Sequence, residues 1–185
     1  MKKIIAIMLC MLMMIGCAAA ETEDKTNIGS VDMNGVFSLQ CVMPDGYRIE
    51  NVEQDGDGSR IYVISSEEAG KPLLMMSIAF NELLADVERM NDLPEDALTE
   101  IENSFREEDQ VEISYTETAF GTKLMVIKEA FEDVDFVDFY TVYKGYEIEF
   151  VLVKGISAET LEGLTAAEIQ AAVDFLSNMD FVPAE

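Results

Sequence analysis

The chain has no histidine and no tryptophan, only three cysteines and four prolines in 185 residues, and 12 basic side chains against 37 acidic ones. Each shortage excludes something. Without histidine there is no Ser-His-Asp triad, no Cys-His pair and none of the usual imidazole metal ligands. Gly-x-Gly-x-x-Gly, the Walker loop and Gly-x-Ser-x-Gly are all missing, so nucleotide-dependent chemistry and nucleophile-elbow hydrolysis have no motif to rest on. A formal charge of −25 repels phosphate backbones, which excludes nucleic acid as a partner. Cys10 and Cys17 lie within the first 17 residues, which leaves Cys41 alone in the remainder and rules out a disulfide framework. Cys41 shares one face of an alternating stretch with Phe37 and Leu39, the place of a small buried hydrophobe rather than of a reactive thiol.

What is present begins with Lys2-Lys3, an apolar run over residues 4–15, and then Met14-Ile15-Gly16-Cys17. A basic start, a short apolar core and small residues are the three parts of an export signal. The segment resembles a bacterial lipoprotein signal, with Gly16 and Cys17 matching that family's pattern and Met14 and Ile15 departing from it. In that family the cysteine is acylated and becomes the first residue of the mature protein. The resemblance therefore implies residues 1–16 as a signal peptide and Cys17 as the lipid attachment point. It also implies a membrane-anchored protein on the outer, extracytoplasmic face of a bacterial cell membrane. Two other readings stay open. Ala18-Ala19-Ala20 satisfies the small-residue rule for ordinary secretion, which would discard Cys17, and residues 4–20 could remain as an uncleaved anchor at the short end of the ~17–25 residues a bilayer needs. All three put the rest of the chain outside the cytoplasm.

Loss of residues 1–16 removes two of the basic side chains and no acid, so the exported form is more acidic still. Two acyl chains on Cys17 would anchor it firmly, because each buried methylene contributes about 0.8 kcal/mol and one chain alone is marginal. Residues 17–34 are poor in large apolar side chains and read as a flexible acidic linker. Residues 35–185 form one domain of ordinary size, with no internal repeat and no Pro-rich boundary.

Within that domain, alternation predicts strands over residues 36–42, 47–54, 59–65 and 73–80, the second and third joined as a hairpin through Asp55-Gly56-Asp57-Gly58. The near-continuous apolar run at 73–80 predicts a strand covered on both faces. The period then changes. Asn81 can cap a short helix with Leu83, Leu84 and Val87 on its buried side, and Pro94 starts another in which Leu98, Ile101 and Phe105 recur at helical spacing. Strand periodicity returns over 111–115, 122–130, 136–143 and 146–154, the last two joined by a tight turn at Lys144-Gly145 and forming the sheet centre. Thr165 and Glu168 make a capping box for a final helix with Ile169, Ala172, Val173 and Leu176 inward and Leu164 stapled to Ile169. Residues 179–182 add a short strand or pack down.

Strands, helices, strands and a helix in that order give an α+β domain, an antiparallel sheet of about seven to eight strands with helices packed on it. That order resembles PsbP-like domains. So do Phe37…Pro44-Asp45-Gly46-Tyr47 near the start and Phe120-Gly121-Thr122-Lys123 opening the second half. The resemblance implies an α-β-α sandwich and a non-catalytic accessory or docking role.

With histidine absent, paired carboxylates are the one catalytic vocabulary left, and they suit glycoside hydrolysis. Glu107-Glu108-Asp109 reads as a solvated helix end, and Glu132-Asp133 with Asp135 and Asp138 as a polar loop running into a strand. Asp55 and Asp57 invite a weak Ca²⁺ site, but the EF-hand positions that need Gly and Glu hold Arg60 and Ser66, and the turn explains the motif. Met75-Met76 fills an apolar strand rather than binding copper. Tyr140, Tyr143 and Tyr146 around the central hairpin are candidates for a partner-binding surface or are ordinary sheet residues. No cofactor is expected. The sequence thus points to a tethered, non-catalytic binding module for a protein or envelope component, with a glycan-acting hydrolase and a weak divalent-cation binder as alternatives.

Overall fold

The computed structural model describes residues 28–33, 35–54, 59–106, 111–119, 121–131, 134–155 and 162–183. The signal peptide, Cys17, Asp55, Asp57 and Glu107-Glu108-Asp109 lie outside the described residues. Among the described residues, ten strands and two α-helices follow one another. They are β1 (Ile28–Met33), β2 (Phe37–Val42), β3 (Tyr47–Gln54), β4 (Arg60–Ser66), β5 (Leu73–Phe80), α1 (Glu95–Arg106), β6 (Val111–Glu117), β7 (Lys123–Phe131), β8 (Val134–Tyr143), β9 (Tyr146–Val153), α2 (Ala166–Ser177) and β10 (Asp180–Pro183). The domain is α+β as expected, and strands dominate it. They form two antiparallel sheets, a three-stranded one ordered β1-β2-β10 and a seven-stranded one ordered β3-β4-β5-β9-β8-β7-β6.

β1 corrects the sequence reading. The composition predicts an acidic linker through residue 34, yet Ile28–Met33 pairs along all of β2, from Ile28↔Val42 to Met33↔Phe37. Val31 and Met33 alternate inward and are buried. The small and acidic residues among them, Gly29, Ser30 and the one acid Asp32, hid a period of two that carries enough apolar surface for a strand.

The long sheet has β9 at its centre with β8 and β5 beside it, where the aromatic hairpin was expected. The β8–β9 turn places both Lys144 (φ 50°) and Gly145 (φ 77°) at positive φ, the geometry that matches the twist of a two-residue hairpin. A Cβ on Gly145 would stand 2.9 Å from the Phe80 ring and 3.0 Å from Ala85 Cα, so only glycine fits. β5 is covered on both faces along Leu73–Met76, also as expected.

One face of the long sheet carries Leu74, Met76, Ile148, Phe150, Val137 and Phe139, against which the small sheet and Leu176 of α2 close a single core. Phe37 of β2 is the join. Its fully buried ring meets Tyr143 at 5.0 Å and Tyr146 at 5.4 Å edge-on, the arrangement that ring quadrupoles favour. The other face is divided. Phe105 of α1, with Leu98 and Ile101, covers Met125, Ile127, Tyr140 and Val142, while Val63, Leu73, Met75, Phe136, Val151 and Val153 form a separate cluster. Asn81 accepts a hydrogen bond from Leu83 N at 2.9 Å, but its element is only a 3₁₀ turn, Glu82–Leu84. Leu83, expected on the buried side, is 92 % exposed, because one short turn cannot bring both leucines to the sheet.

Phe37→Ala is expected to cost about 3–5 kcal/mol, since the cavity would open between two sheets that cannot both collapse on it. Chemical denaturation measures this, and a loss under about 1 kcal/mol would contradict the role given to this ring.

Candidate functional site

The start of α2 is fixed from several directions. The Glu168 carboxylate accepts from Thr165 N at 2.7 Å and from Thr165 Oγ1 at 2.8 Å, while Glu168 N donates to Thr165 Oγ1 at 3.3 Å. This is the predicted capping box, and Leu164 before it is buried in the core. Lys154, just past β9, reaches Glu168 at 3.1 Å and Glu162 at 3.6 Å. The Thr165 hydrogen bonds, aided by Lys154, hold the Glu168 carboxyl below its ordinary pKa. Bonding to Glu168 in turn raises Lys154.

Beyond that anchored turn, α2 presents Ala167, Ala171 and Ala172 toward Tyr47, Ile64, Leu74 and Leu152, with Phe175, Pro44 and Pro72 completing the walls of a cavity of about 330 Å³. Ala172 and Leu176 lie a turn apart on the helix, and where the leucine fills its space the alanines leave theirs empty. The volume is at the lower end of the ~300–1,000 Å³ typical of ligand pockets. Its polar rim is engaged within the chain. Tyr47 Oη donates to Pro72 O at 3.2 Å, Lys71 pairs with Glu68 at 3.5 Å, and Glu168 is held as above. Burial, with Glu168 and Glu68 nearby, raises the Tyr47 phenol, which keeps it a donor. Walls without unsatisfied charge suit an uncharged apolar group better than an ion.

Sequence reasoning missed this pocket. Its signal was legible in part, as Ala167 and Ala171 one turn apart, with Ala172 beside them, on a helix whose other inward positions are large.

The carboxylates gather elsewhere, on the divided face of the long sheet. Asp138, the last of the acids running into the strand expected over 136–143, stands inside that strand and is buried. It lies inside β8, opposite Ile127 of β7 and Val151 of β9, and is only 5 % exposed. Glu149 of β9 and Glu129 of β7 are offset two residues from those partners, so they flank it diagonally. Oδ1 of Asp138 has no hydrogen-bond partner. Burial, then repulsion from Glu149 and Glu129, pushes its carboxyl well above the ordinary range. Glu149 is raised by burial and by Glu147. Glu147 itself accepts from Tyr140 Oη at 2.7 Å and from Asn81 Nδ2 at 3.1 Å. Among the described residues no three acids or thiols converge on a point that could hold a metal ion.

The tyrosines expected to line a partner surface do not. Tyr140, Tyr143 and Tyr146 are 5 %, 4 % and 9 % exposed. Nor do they share a face: Tyr143 and Tyr146 pack on Phe37, whereas Tyr140 turns to the other side and meets Phe105 at 5.7 Å. They are core residues. Cys41 is buried as expected, its thiol donating to Met43 Sδ at 3.5 Å, and burial raises its pKa to about 11.

No protein-family model and no curated protein matches the chain.

Asp138 sets a pH dependence opposite to that of a salt-bridged acid. Its folded pKa lies above the unfolded one, so the folded state holds the extra proton, and stability falls as pH rises from about 4 through the raised value. Asp138→Asn should gain on the order of 1–2 kcal/mol at pH 7, the scale of relieving a buried unpaired group, and should flatten the profile above pH 4. Urea titrations across pH check both points.

Proposed function

We propose that the chain is an extracytoplasmic lipoprotein, held on the outer face of the cell membrane through acyl chains on Cys17. Its α+β domain acts as a non-catalytic binding module for a protein or another envelope component. The observation that carries the binding reading is the cavity beside α2: apolar walls, half open, with every rim charge named above already paired inside the chain. Such a site takes up an apolar side chain or alkyl group without asking for catalysis. The basic-apolar-small start ending at Gly16-Cys17 supports the anchor, and the strong negative charge supports a soluble body kept off an anionic surface. We read the finer architecture as a PsbP-like sandwich. The seven-stranded antiparallel sheet, with α1 against one face and α2 against the other, supports it.

Two variants test the two halves of the proposal. Cys17→Ser should move the protein from the membrane to the soluble extracytoplasmic fraction, and continued membrane retention would remove the acyl anchor. Ala171→Leu fills the cavity from its exposed side. It should leave thermal unfolding unchanged or raise it, while lowering at least tenfold the affinity for a neutral naphthylamine fluorophore and the yield of photo-crosslinking to envelope components. Unchanged binding of both would remove the pocket from the function.

A further inference from the structure

The cavity beside α2 is open where the apolar clusters of the sheet are shut. Pro44, Ala167 and Ala171 on its walls are exposed and Phe175 is half buried, whereas Ile64, Leu74 and Leu152 make a buried floor. Those three stand on neighbouring strands, Ile64 opposite Leu74 and Leu74 opposite Leu152. The roof, from Ala167 to Phe175, is about 12 Å of helix. At about 30 Å³ for a water-sized group such as a methylene, a volume of about 330 Å³ holds roughly ten of them. No aliphatic side chain brings so many.

The walls also narrow the chemistry of the occupant. A peptide inserted here would carry backbone N–H and C=O groups that need partners once dry. The rim groups are already engaged: Tyr47 Oη on Pro72 O, Lys71 with Glu68, and Glu168 with Thr165 and Lys154. An alkyl chain brings no such groups. A net charge at its end is disfavoured, because the rim ions are matched and the chain as a whole repels anions.

The polypeptide enters the domain at this cavity. β1 begins at Ile28 opposite Val42, two residues before Pro44 on the cavity wall. Ile28 follows Cys17 by eleven residues, which span at most about 40 Å. A lipid anchor on Cys17 therefore keeps the mouth of the cavity within reach of the bilayer surface.

We propose that the cavity takes up a single acyl chain of a membrane lipid whose headgroup has no net charge, the tail lying on Leu74 and Leu152 under the alanines of α2 and the head left in water. This deepens the binding role given above and rests on it, as it rests on the anchor at Cys17.

Two measurements test it. The first titrates 1-alkanols of six to fourteen carbons into the full chain carrying Cys17→Ser, by calorimetry. Affinity should rise about fourfold per methylene up to about ten carbons and then level, because further carbons stay in water. In Ala171→Leu, whose side chain adds three carbons, the levelling should come about three carbons sooner, with the six-carbon alcohol bound as before. That retained binding shows an intact fold. A rise without levelling, as adsorption to a surface would give, overturns the proposal, and so does a Leu-rich pentapeptide amide that binds more tightly than decanol. If the alkanols fail while the naphthylamine fluorophore still binds and Ala171→Leu still weakens it, the pocket stands and the acyl chain falls.

The second measurement separates membrane lipid from free alkyl compounds. The processed form is reconstituted into phosphatidylcholine vesicles whose acyl chains end in a diazirine, and the cross-links are mapped by mass spectrometry. Label should fall on α2 between Ala167 and Phe175, and Ala171→Leu should lose most of it. Absence of label on α2 overturns the membrane as source, whether or not the protein stays on the vesicles; only its release also removes the anchor at Cys17.

Discussion

The pairing of β5 with β9 is the constraint on which the remainder depends. β3, β4 and β5 follow one another as hairpins, and so do β6, β7, β8 and β9, so each half could form locally. Only the register from Leu73↔Val153 to Phe80↔Tyr146 joins them into one sheet, across more than sixty residues of chain. That closure costs loop entropy before it returns any burial. What repays it is the alternation on both strands. Leu74, Met76 and Ile78 line up with Leu152, Phe150 and Ile148 on one face, and a slip of one residue would turn one strand's three away from the other's. The small sheet and α2 then have a continuous apolar surface to close.

From this follows the asymmetry of the two faces. The face toward Phe37 is closed by elements whose local grammar is consistent: a capped helix, a central β2 paired on both sides, and aromatic rings in edge-on contact. The opposite face mixes terms that conflict. Buried acids at Asp138 and Glu149 oppose folding at neutral pH, next to valines and leucines that favour it. A sequence under pressure for stability alone would place an apolar residue at Asp138, because replacing a buried charge by a packed hydrophobe is commonly neutral or stabilising. Local rules broken inside an otherwise consistent domain tend to mark function.

Much of the fold was legible because its signals are local and periodic. The Thr165–Glu168 box, the helix after Pro94, the hairpin turn at Lys144-Gly145 and the doubly covered β5 each follow from residue spacing, and each is found. β1 was not found, since Gly29, Ser30 and Asp32 dilute its apolar content and its partner β2 lies beyond a turn. Of the two places open to the tyrosines, a partner surface or the sheet, they take the second, for a reason the sequence already contained. Tyr140 and Tyr143 are an odd number of residues apart on one strand, so a period of two sends them to opposite faces. Asp138 falls in the stretch expected as a strand, 136–143, but the acids before it at 132, 133 and 135 made it look solvated, and nothing local told that it would be buried. The pocket beside α2 was invisible for a different reason. A cavity is the absence of side-chain volume between elements distant in sequence, here 44–74 and 152–175, and no local pattern encodes it beyond the run of alanines.

The acidity of the chain and the cavity beside α2 make different contributions. A body with 37 acids and 12 bases steers cations toward itself from a distance and turns anions away, so any strongly acidic partner is disfavoured before contact. Long-range attraction of this kind sets encounter rates but confers little selectivity, since exposed pairs contribute only about 0–1 kcal/mol each. Selectivity has to come from places where the field is joined to a dry surface. On the face bearing Asp138 the acid is shut in between Ile127 and Val151 and is out of a ligand's reach. Beside α2 the charges are already matched, which leaves shape and apolar volume to discriminate.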